Sequence, residues 1–472
     1  MPDRKPDAPQ PPYEAARSDR PTSAEGTLLP ASGKHDPYAA FRFPAFRFYT
    51  SGNLISVIGR LMFMVAVEWE IYARTHSATA LGLVGLMIAF PVVLLSLPAG
   101  HIADRFPRKR IVLVTQALSA ICSLALAFVS WQHLAIPSWA LLQNGNRLLY
   151  GIASIFERHT YFQFDDLSIP LIYLILLVSA TGRTFGWAAR SSYFPQLVPR
   201  DAFANAVTWN SSVFQIGSVV GPAVGGLLIV RAGFPFIYLL DAICAMSFFL
   251  LVLPIRSSDR GTSSERNAWR SLKEGLRFVV SKKVILATIT LDMFAVLLGG
   301  ATALLPIFAD QILHCGPIGL GWLRAAPGIG AFIMALQIAH LPPMKHAGKT
   351  LLWCVTGFGL ATIIFGVSHN LWLSLAMLFM TGVFDSVSMV VRHTLLQLLT
   401  PDSMRGRISA VNNIFIGTSN ELGALESGLT AALFGPLISV VAGGVGTILV
   451  VLGVSWIWPE TRKIGALDKN LR

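Results

Sequence analysis

Ten ionisable side chains sit where hydrocarbon is expected. Arg60, Glu68, Glu70, Arg183, Asp241, Asp292, Arg324, Asp385, Glu421 and Glu426 all fall inside long apolar runs of this 472-residue chain. A charge at membrane depth is costly, so such a residue pairs with another group or acts on a solute or a proton. A carboxylate in a low-dielectric cavity that meets water alternately on two sides can take up and release protons. Asp385, Glu421, Glu426, Asp292, Arg183, Glu68 and Glu70 are therefore the candidates for proton coupling or for lining a solute cavity.

Each candidate also has a plainer reading. Glu68 and Glu70 lie near one end of their run, within reach of water or of Arg74. Asp241 can cap or pair structurally, and Arg60 can hold its helix through a carboxylate partner. Asp292 and Asp385 are deeper, with no base close by on the same helix, and stand open between coupling and structure. Glu421 and Glu426 are five residues apart, about 140° around a helix, so they cannot face the same way. Asn412, Asn413, Ser419 and Asn420 add polar surface to that segment, whose other reading is a structural polar network.

No soluble catalytic constellation accompanies these groups. The chain has no G-x-x-x-x-G-K-[ST] loop, which argues against ATP as the direct energy source, and its ten histidines form no H-E-x-x-H. Cys122, Cys244, Cys315 and Cys354 are scattered through apolar segments without metal or disulfide spacing. Neither an enzyme activity, nor a cofactor, nor a metal is expected.

The elements that must position these charges follow from composition. The chain is 53% hydrophobic and only 13% charged, with a mean hydropathy of +0.59, against about 25% charged for soluble domains. Apolar runs of bilayer-crossing length cover about 51–73, 79–100, 111–130, 168–189, 204–230 and 235–255, then 284–310, 317–340, 350–368, 370–392, 408–433 and 435–457. The expected fold is an all-α integral membrane protein with twelve spans in two pseudo-symmetric six-helix bundles, 46–255 and 284–458. Residues 1–45, rich in Pro, Ala, Ser and charge, read as a disordered cytoplasmic tail with no signal peptide. Residues 459–472 read as a second cytoplasmic tail.

Charge sets the orientation. With both termini cytoplasmic, 30 of the 37 lysines and arginines lie in cytoplasmic tails and loops, and only Arg74, Arg147, Arg158 and Arg231 face the other side. This distribution accounts for the net charge of +12 without nucleic acid. The linker 256–283 carries Trp269, Leu272, Leu276 and Val279 on one helical face and basic residues on the other, so an interfacial helix is expected there; a plain tether is equally compatible.

The halves repeat. RSSYFPQLVP (Arg190–Pro199) matches RHTLLQLLTP (Arg392–Pro401) at an offset of 202, which also places Arg183 and Asp385 in equivalent positions. GHIADRFPRKR (Gly100–Arg110) matches AHLPPMKHAGK (Ala339–Lys349) at 239. The difference places an insertion in the external loop 131–167, read as a peripheral surface element in preference to a lid over the external mouth. The segment GSVVGPAVGG (Gly217–Gly226) sets Gly217, Gly221 and Gly225 on one helix face, a groove for close approach of another backbone, and Pro222 bends that helix. Its copy, SNELGALESG, keeps Gly423 and Gly428 but gains Glu421 and Glu426. A division of labour is expected, with the fifth span governing movement and the eleventh carrying charge.

These motifs resemble those of the major facilitator superfamily. GHIADRFPRKR is similar to its loop 2–3 signature G-x-x-x-D-R-x-G-R-[KR], with Gly100, Asp104, Arg105, Arg108 and Lys109 in place and Pro107 for the usual glycine. GSVVGPAVGG matches the fifth-helix signature of the drug/proton antiporter branches, G-x-x-x-G-P-x-x-G-G, at Gly217, Gly221, Pro222, Gly225 and Gly226. VSATGRTFGWAA loosely resembles the fourth-helix signature, with Arg183 as its embedded arginine. Over about residues 45–460, ALGLVGL, RSSYFPQLVPRDAFANAVTWNSS and PDSMRGRISAVNNIFIGTSNELGALESG resemble the enterobactin-exporter branch; the insertion and the long N-terminal tail depart from it.

The resemblance implies a monomeric permease of a bacterial-type inner membrane. It would export a small amphipathic molecule, drug-like or siderophore, in exchange for protons. It also implies a cytoplasmic gate in which Asp104 pairs with Arg190, Arg405 or Arg407, with Gly100, Arg105, Arg108, Lys109 and Arg392 in the same machinery. An inward facilitator or proton symporter is the alternative, followed by a scaffold or sensor that does not transport.

Overall fold

A backbone surrounded by hydrocarbon finds no water, so each crossing closes its own hydrogen bonds as a helix. The computed structural model describes residues 36–132, 168–256, 268–340, 344, 346–401 and 404–465. The tail over 1–35, most of the expected insertion (133–167), part of the linker and the last residues lie outside them.

The helices are α1 (Pro44–Thr75), α2 (Ala78–Arg105), α3 (Arg108–Trp131), α4 (Ser168–Tyr193), α5 (Arg200–Val252), α6 (Ala268–Ser281), α7 (Lys283–Leu298), α8 (Gly316–His340), α9 (Ala347–Val367), α10 (Leu371–Leu399), α11 (Arg405–Phe434) and α12 (Pro436–Ile457). Short helical turns, Ala301–Leu304, Leu305–Ile307 and Phe308–Ile312, extend α7. Local chemistry starts two of the helices. The Ser77 hydroxyl accepts from the Ala80 amide at 3.1 Å, and the Asn370 side chain accepts from the amides of Trp372 and Leu373.

Among the described residues nine helices are long and apolar enough to cross a bilayer. One of them, α5, crosses twice. Gly233, at φ 77, breaks it with a backbone conformation that L side chains rarely adopt. The two arms then run in opposite directions along α1. Gly217 and Gly225 meet Val57 and Met62 in rising order, whereas Gly52 and Gly59 meet Phe248 and Cys244 in falling order. Helices α1 and α11 complete twelve crossings. They are the two that carry glutamates within their length, Glu68 and Glu70 in one and Glu421 and Glu426 in the other.

The same packing graph occurs twice. In the first bundle α1 packs on both arms of α5, α3 on α5, α2 on α4 and α3 on α4. In the second, α7 packs on α11 and α12, α9 on α12, α8 on α10 and α9 on α10. Each pair in one bundle is the other's shifted by six spans, as the sequence repeat requires. Two major contacts join the bundles, α2 with α11 and α5 with α8, and these are likewise related by the repeat. The linker helix α6 packs on α11 and also touches α2. Because α6 docks on α11, Val279 is buried whereas Leu276 is exposed, so these two residues of its expected apolar face divide between protein and surroundings.

Candidate functional site

One end of the molecule bears the loops rich in Lys and Arg and is called here the basic end; the other is the far end. The two joints between bundles lie toward the far end. A Cβ built on Gly82 would lie 3.1 Å from Gly428 Cα, and one on Gly85 would lie 2.7 Å from Ala424 Cβ. At the second joint a Cβ on Gly226 would lie 2.4 Å from Pro317 O and 2.9 Å from Gly321 Cα. Gly221 instead faces α1, with Ile58 O 3.0 Å from the Cβ position, and Gly423 faces α7, with Leu297 O at 2.9 Å. The two glycine positions kept in both repeats therefore do two jobs. Gly221 and Gly423 tighten a bundle, and Gly226 and Gly428 let one bundle touch the other. The expected division of labour is thereby modified, since α11 keeps the joint glycine as well as its charges.

Polar contacts cross at the same end. Arg324 of α8 pairs with Glu68 of α1 and donates to Thr302 O at 3.2 Å. The Tyr72 hydroxyl donates to Asp310 Oδ2 at 3.0 Å. Toward the basic end the bundles separate. Gly417 meets only Val92 Cγ1, at 3.7 Å, and Gly100 and Gly406 face open space.

Between the bundles lie two adjoining cavities that share Thr302 and Asn420. One, of about 330 Å³, is lined by Glu68, Arg324, Glu421, Asn420 and small and aliphatic residues of α2 and α11. The other, of about 340 Å³, is lined by Phe214, Phe358, Phe365 and Met389 together with the polar Gln215, Thr362, Thr381, Asn420 and Asp385. The combination of aromatic walls and scattered polar groups is that of a site for an amphipathic small molecule.

The expected site residues divide among several settings. Glu421 and Asp385 line the cavities; the Asp385 side chain is 52% exposed, with Oδ1 3.8 Å from Arg392 Nη2. Glu68 also borders a cavity but is committed to Arg324. Glu70 is fully buried inside the first bundle, bonded by Arg74, by Ser130 at 2.6 Å and by Tyr238 at 2.6 Å. Asp292 is buried in an ion pair with Arg392. Glu426, half-buried, accepts from Ser427 Oγ at 3.5 Å and borders neither cavity, so it and Glu421 face different surroundings.

Arg183 lies within electrostatic reach of Glu421 of the opposite bundle and of Asp241 in its own. Its Nε is buried without a hydrogen-bond partner among the described residues. Asp241 accepts from the Ser123 hydroxyl at 2.6 Å and feels the charges of Arg60 and Arg183.

The expected gate residues are not gathered in this state. Asp104, 61% exposed, lies 3.9 Å from Arg108 of its own bundle. Arg108 donates to Ser192 O, and Lys109 donates to the carbonyls of Leu253 and Ile255 at 2.8 and 2.7 Å, closing off the end of α5. Arg105 and Arg405 are exposed. Arg190 lies over the Phe248 ring, 5.6 Å from its centroid. Arg407 donates to Glu274 of α6 at 2.7 Å. Arg392 faces inward to Asp292 and Asp385, so it belongs with the second bundle's interior and not with the gate.

Sequence reasoning missed Tyr72, Asp310, Thr302, Tyr238 and Glu274. Asp310, an ionisable group at the end of an apolar run, is the one signal that could have found its contact; nothing in the local sequence marks the others.

Two six-helix bundles clasped at one end around a polar-lined cavity define a secondary transporter. Residues 49–342 and 344–470 match the sequence profile of the Major Facilitator Superfamily. The chain is 26% identical over 423 residues to "Enterobactin exporter EntS" of Escherichia coli O1:K1 / APEC, covering 89% of this chain and 93% of that one, and to the Shigella boydii serotype 18 protein of the same name at the same level. Among solved structures it is similar to a bacterial homologue of the iron transporter ferroportin in an inward-facing state (TM-score 0.65, 14% identity, 89% of this chain and 99% of that one). It is also similar to a D-xylose-proton symporter (TM-score 0.63, 15% identity, 89% and 99%). The chain belongs to the Major Facilitator Superfamily. It is a multi-pass membrane protein and a transporter of small molecules, not an enzyme.

Proposed function

We propose that the protein exports a small amphipathic compound, of the drug or siderophore kind, in exchange for protons. It works as a monomer in a bacterial-type inner membrane, with the basic end and both termini in the cytoplasm. The observation that carries this reading is Glu421, a carboxylate on the cavity wall with Arg183 of the opposite bundle in electrostatic reach. Ionised Glu421 balances Arg183. A proton on Glu421 removes that balance and leaves the guanidinium for a polar group of the substrate. Asp385, half exposed to the second cavity, is the other candidate proton carrier. The excess of Lys and Arg in the loops of one end supports the orientation. The exporter names of the relatives support the direction.

The register of α2 with α11 supports alternating access. Gly82 faces Gly428, Gly85 faces Ala424 and Val92 faces Gly417, so each residue along α2 is matched by one backwards along α11. Continued to the basic end, that register would bring Asp104 opposite Arg405 and Gly406, beside Arg407, once the bundles close there. Rocking the bundles together there would form a carboxylate–guanidinium lock while the far end opens.

The test is transport by purified protein in liposomes under an imposed pH gradient. Candidate compounds should move against the proton flow, and Glu421→Gln should lose dependence on the gradient. Accumulation in the direction of proton flow would establish a symporter and sink the exporter reading.

A further inference from the structure

The Arg407–Glu274 ion pair joins the linker helix to α11 at the end that closes in alternating access. Arg407 stands at the start of α11, where the register places Asp104 on closure. In this state its Nη1 instead donates to Glu274 Oε2 at 2.7 Å. The attachment of α6 to α11 extends beyond that bond. Val279 is buried in one cluster with Ile408 and Val411. A Cβ on Gly275 would lie 3.1 Å from Val411 Cγ2 and 3.2 Å from Arg407 O, so the two helices are in close contact beside the ion pair. Helix α6 also touches α2. It therefore lies against both helices that must meet when the basic end closes.

We propose that Glu274 of the linker helix competes with Asp104 for Arg407, so that α6 holds the basic end open and yields the guanidinium when the lock forms. Glu274 is in this sense a positioning residue for the transport cycle, acting through Arg407 and not on the substrate. The energetics suit a switch. Glu274 and Arg407 side chains are 40% and 29% exposed and Asp104 is 61% exposed. Each pair then forms in partly wet surroundings and is weak enough to exchange. A linker covalently joined to both bundles thus favours one of the two states, and its influence weakens with ionic strength because both pairs are screened.

The inference rests on alternating access but not on any substrate, direction or proton coupling, so its test is conformational. In full-length protein with the four native cysteines replaced, Gly406→Cys is introduced where no neighbour lies within 4 Å of the new Cβ. Its reaction with a hydrophilic maleimide reports the open basic end, since closure buries it against α2. Glu274→Gln should lower the open-to-closed ratio by about two- to fivefold, the effect of one partly exposed ion pair on a two-state balance, and slow labelling by up to that factor. Adding Asp104→Asn should abolish that slowing, because the competitor for Arg407 is gone. The variants' unfolding temperatures, measured alongside, separate closure from misfolding: both should stay within a few degrees of the parent. A labelling rate unchanged or raised by Glu274→Gln, or a slowing that persists with Asp104→Asn, overturns the proposal.

Discussion

Replacing Gly226 by alanine should shift the transporter's resting state while sparing its fold. The added methyl would stand 2.4 Å from Pro317 O, 2.9 Å from Gly321 Cα and 3.0 Å from Gly321 N. Ordinary contact begins near 3.4 Å, so the α5 and α8 backbones must part by about 1 Å. The obstacle is backbone, which cannot rotate away. Overpacking of this kind costs about 1–3 kcal/mol, or about a five- to 150-fold change in an equilibrium constant. The cost falls only on the state in which the far end is closed, because opening that end separates α5 from α8. Gly221→Ala is the control. Its methyl would meet Leu61 Cβ at 2.6 Å and Ile58 O at 3.0 Å inside one bundle, a contact both states retain. It should lower the unfolding temperature without shifting the balance between states.

Spin labels at exposed Ala73 and His369, one at the far end of each bundle, would report the difference by electron–electron double resonance. Gly226→Ala should populate a longer distance, whereas Gly221→Ala should keep the parent distribution at reduced thermal stability. Identical distance distributions for Gly226→Ala and the parent would refute the assignment of this joint as a moving contact.

Further expectations concern the charged groups. Glu68→Gln removes the negative charge facing Arg324 at the closed far end and should lengthen the same label distance, by destabilising that state by about 1–3 kcal/mol; an unchanged distribution would make the pair incidental to closure. Asp292→Asn leaves Arg392 without its buried partner and should cost the second bundle about 3–5 kcal/mol, seen as early thermal unfolding in detergent. Asp385→Asn, at a half-exposed position 3.8 Å from the same arginine, should unfold close to the parent temperature. If Asp385 carries protons, Asp385→Asn should impair gradient-driven transport while Glu70→Gln lowers stability instead, since Glu70 is enclosed by Arg74, Ser130 and Tyr238.

Much of this architecture is legible along the chain because its causes are local or periodic. A bilayer imposes a length on every apolar run, and a duplicated chain repeats its motifs at a fixed offset. Twelve crossings, two bundles and the special status of Gly217–Gly226 follow from those rules alone. The linker showed the limit: amphipathic spacing predicts a helix with one apolar face, but not that Val279 would be buried against α11 while Leu276 stayed exposed.

What only the tertiary structure decided is which charges meet. Glu68 and Arg324 are 256 residues apart, and Glu274 and Arg407 are 133 apart. Gly221 and Gly226 stand five residues apart in the same motif, yet one faces its own bundle and the other faces across. Hydropathy counts a charge as a cost wherever it falls. Whether that cost is met by a partner, as for Glu70 and Asp292, or left facing a cavity, as for Glu421 and Asp385, depends on the rotation and pairing of whole helices. Those are set by packing between segments far apart in the chain, which local spacing does not encode.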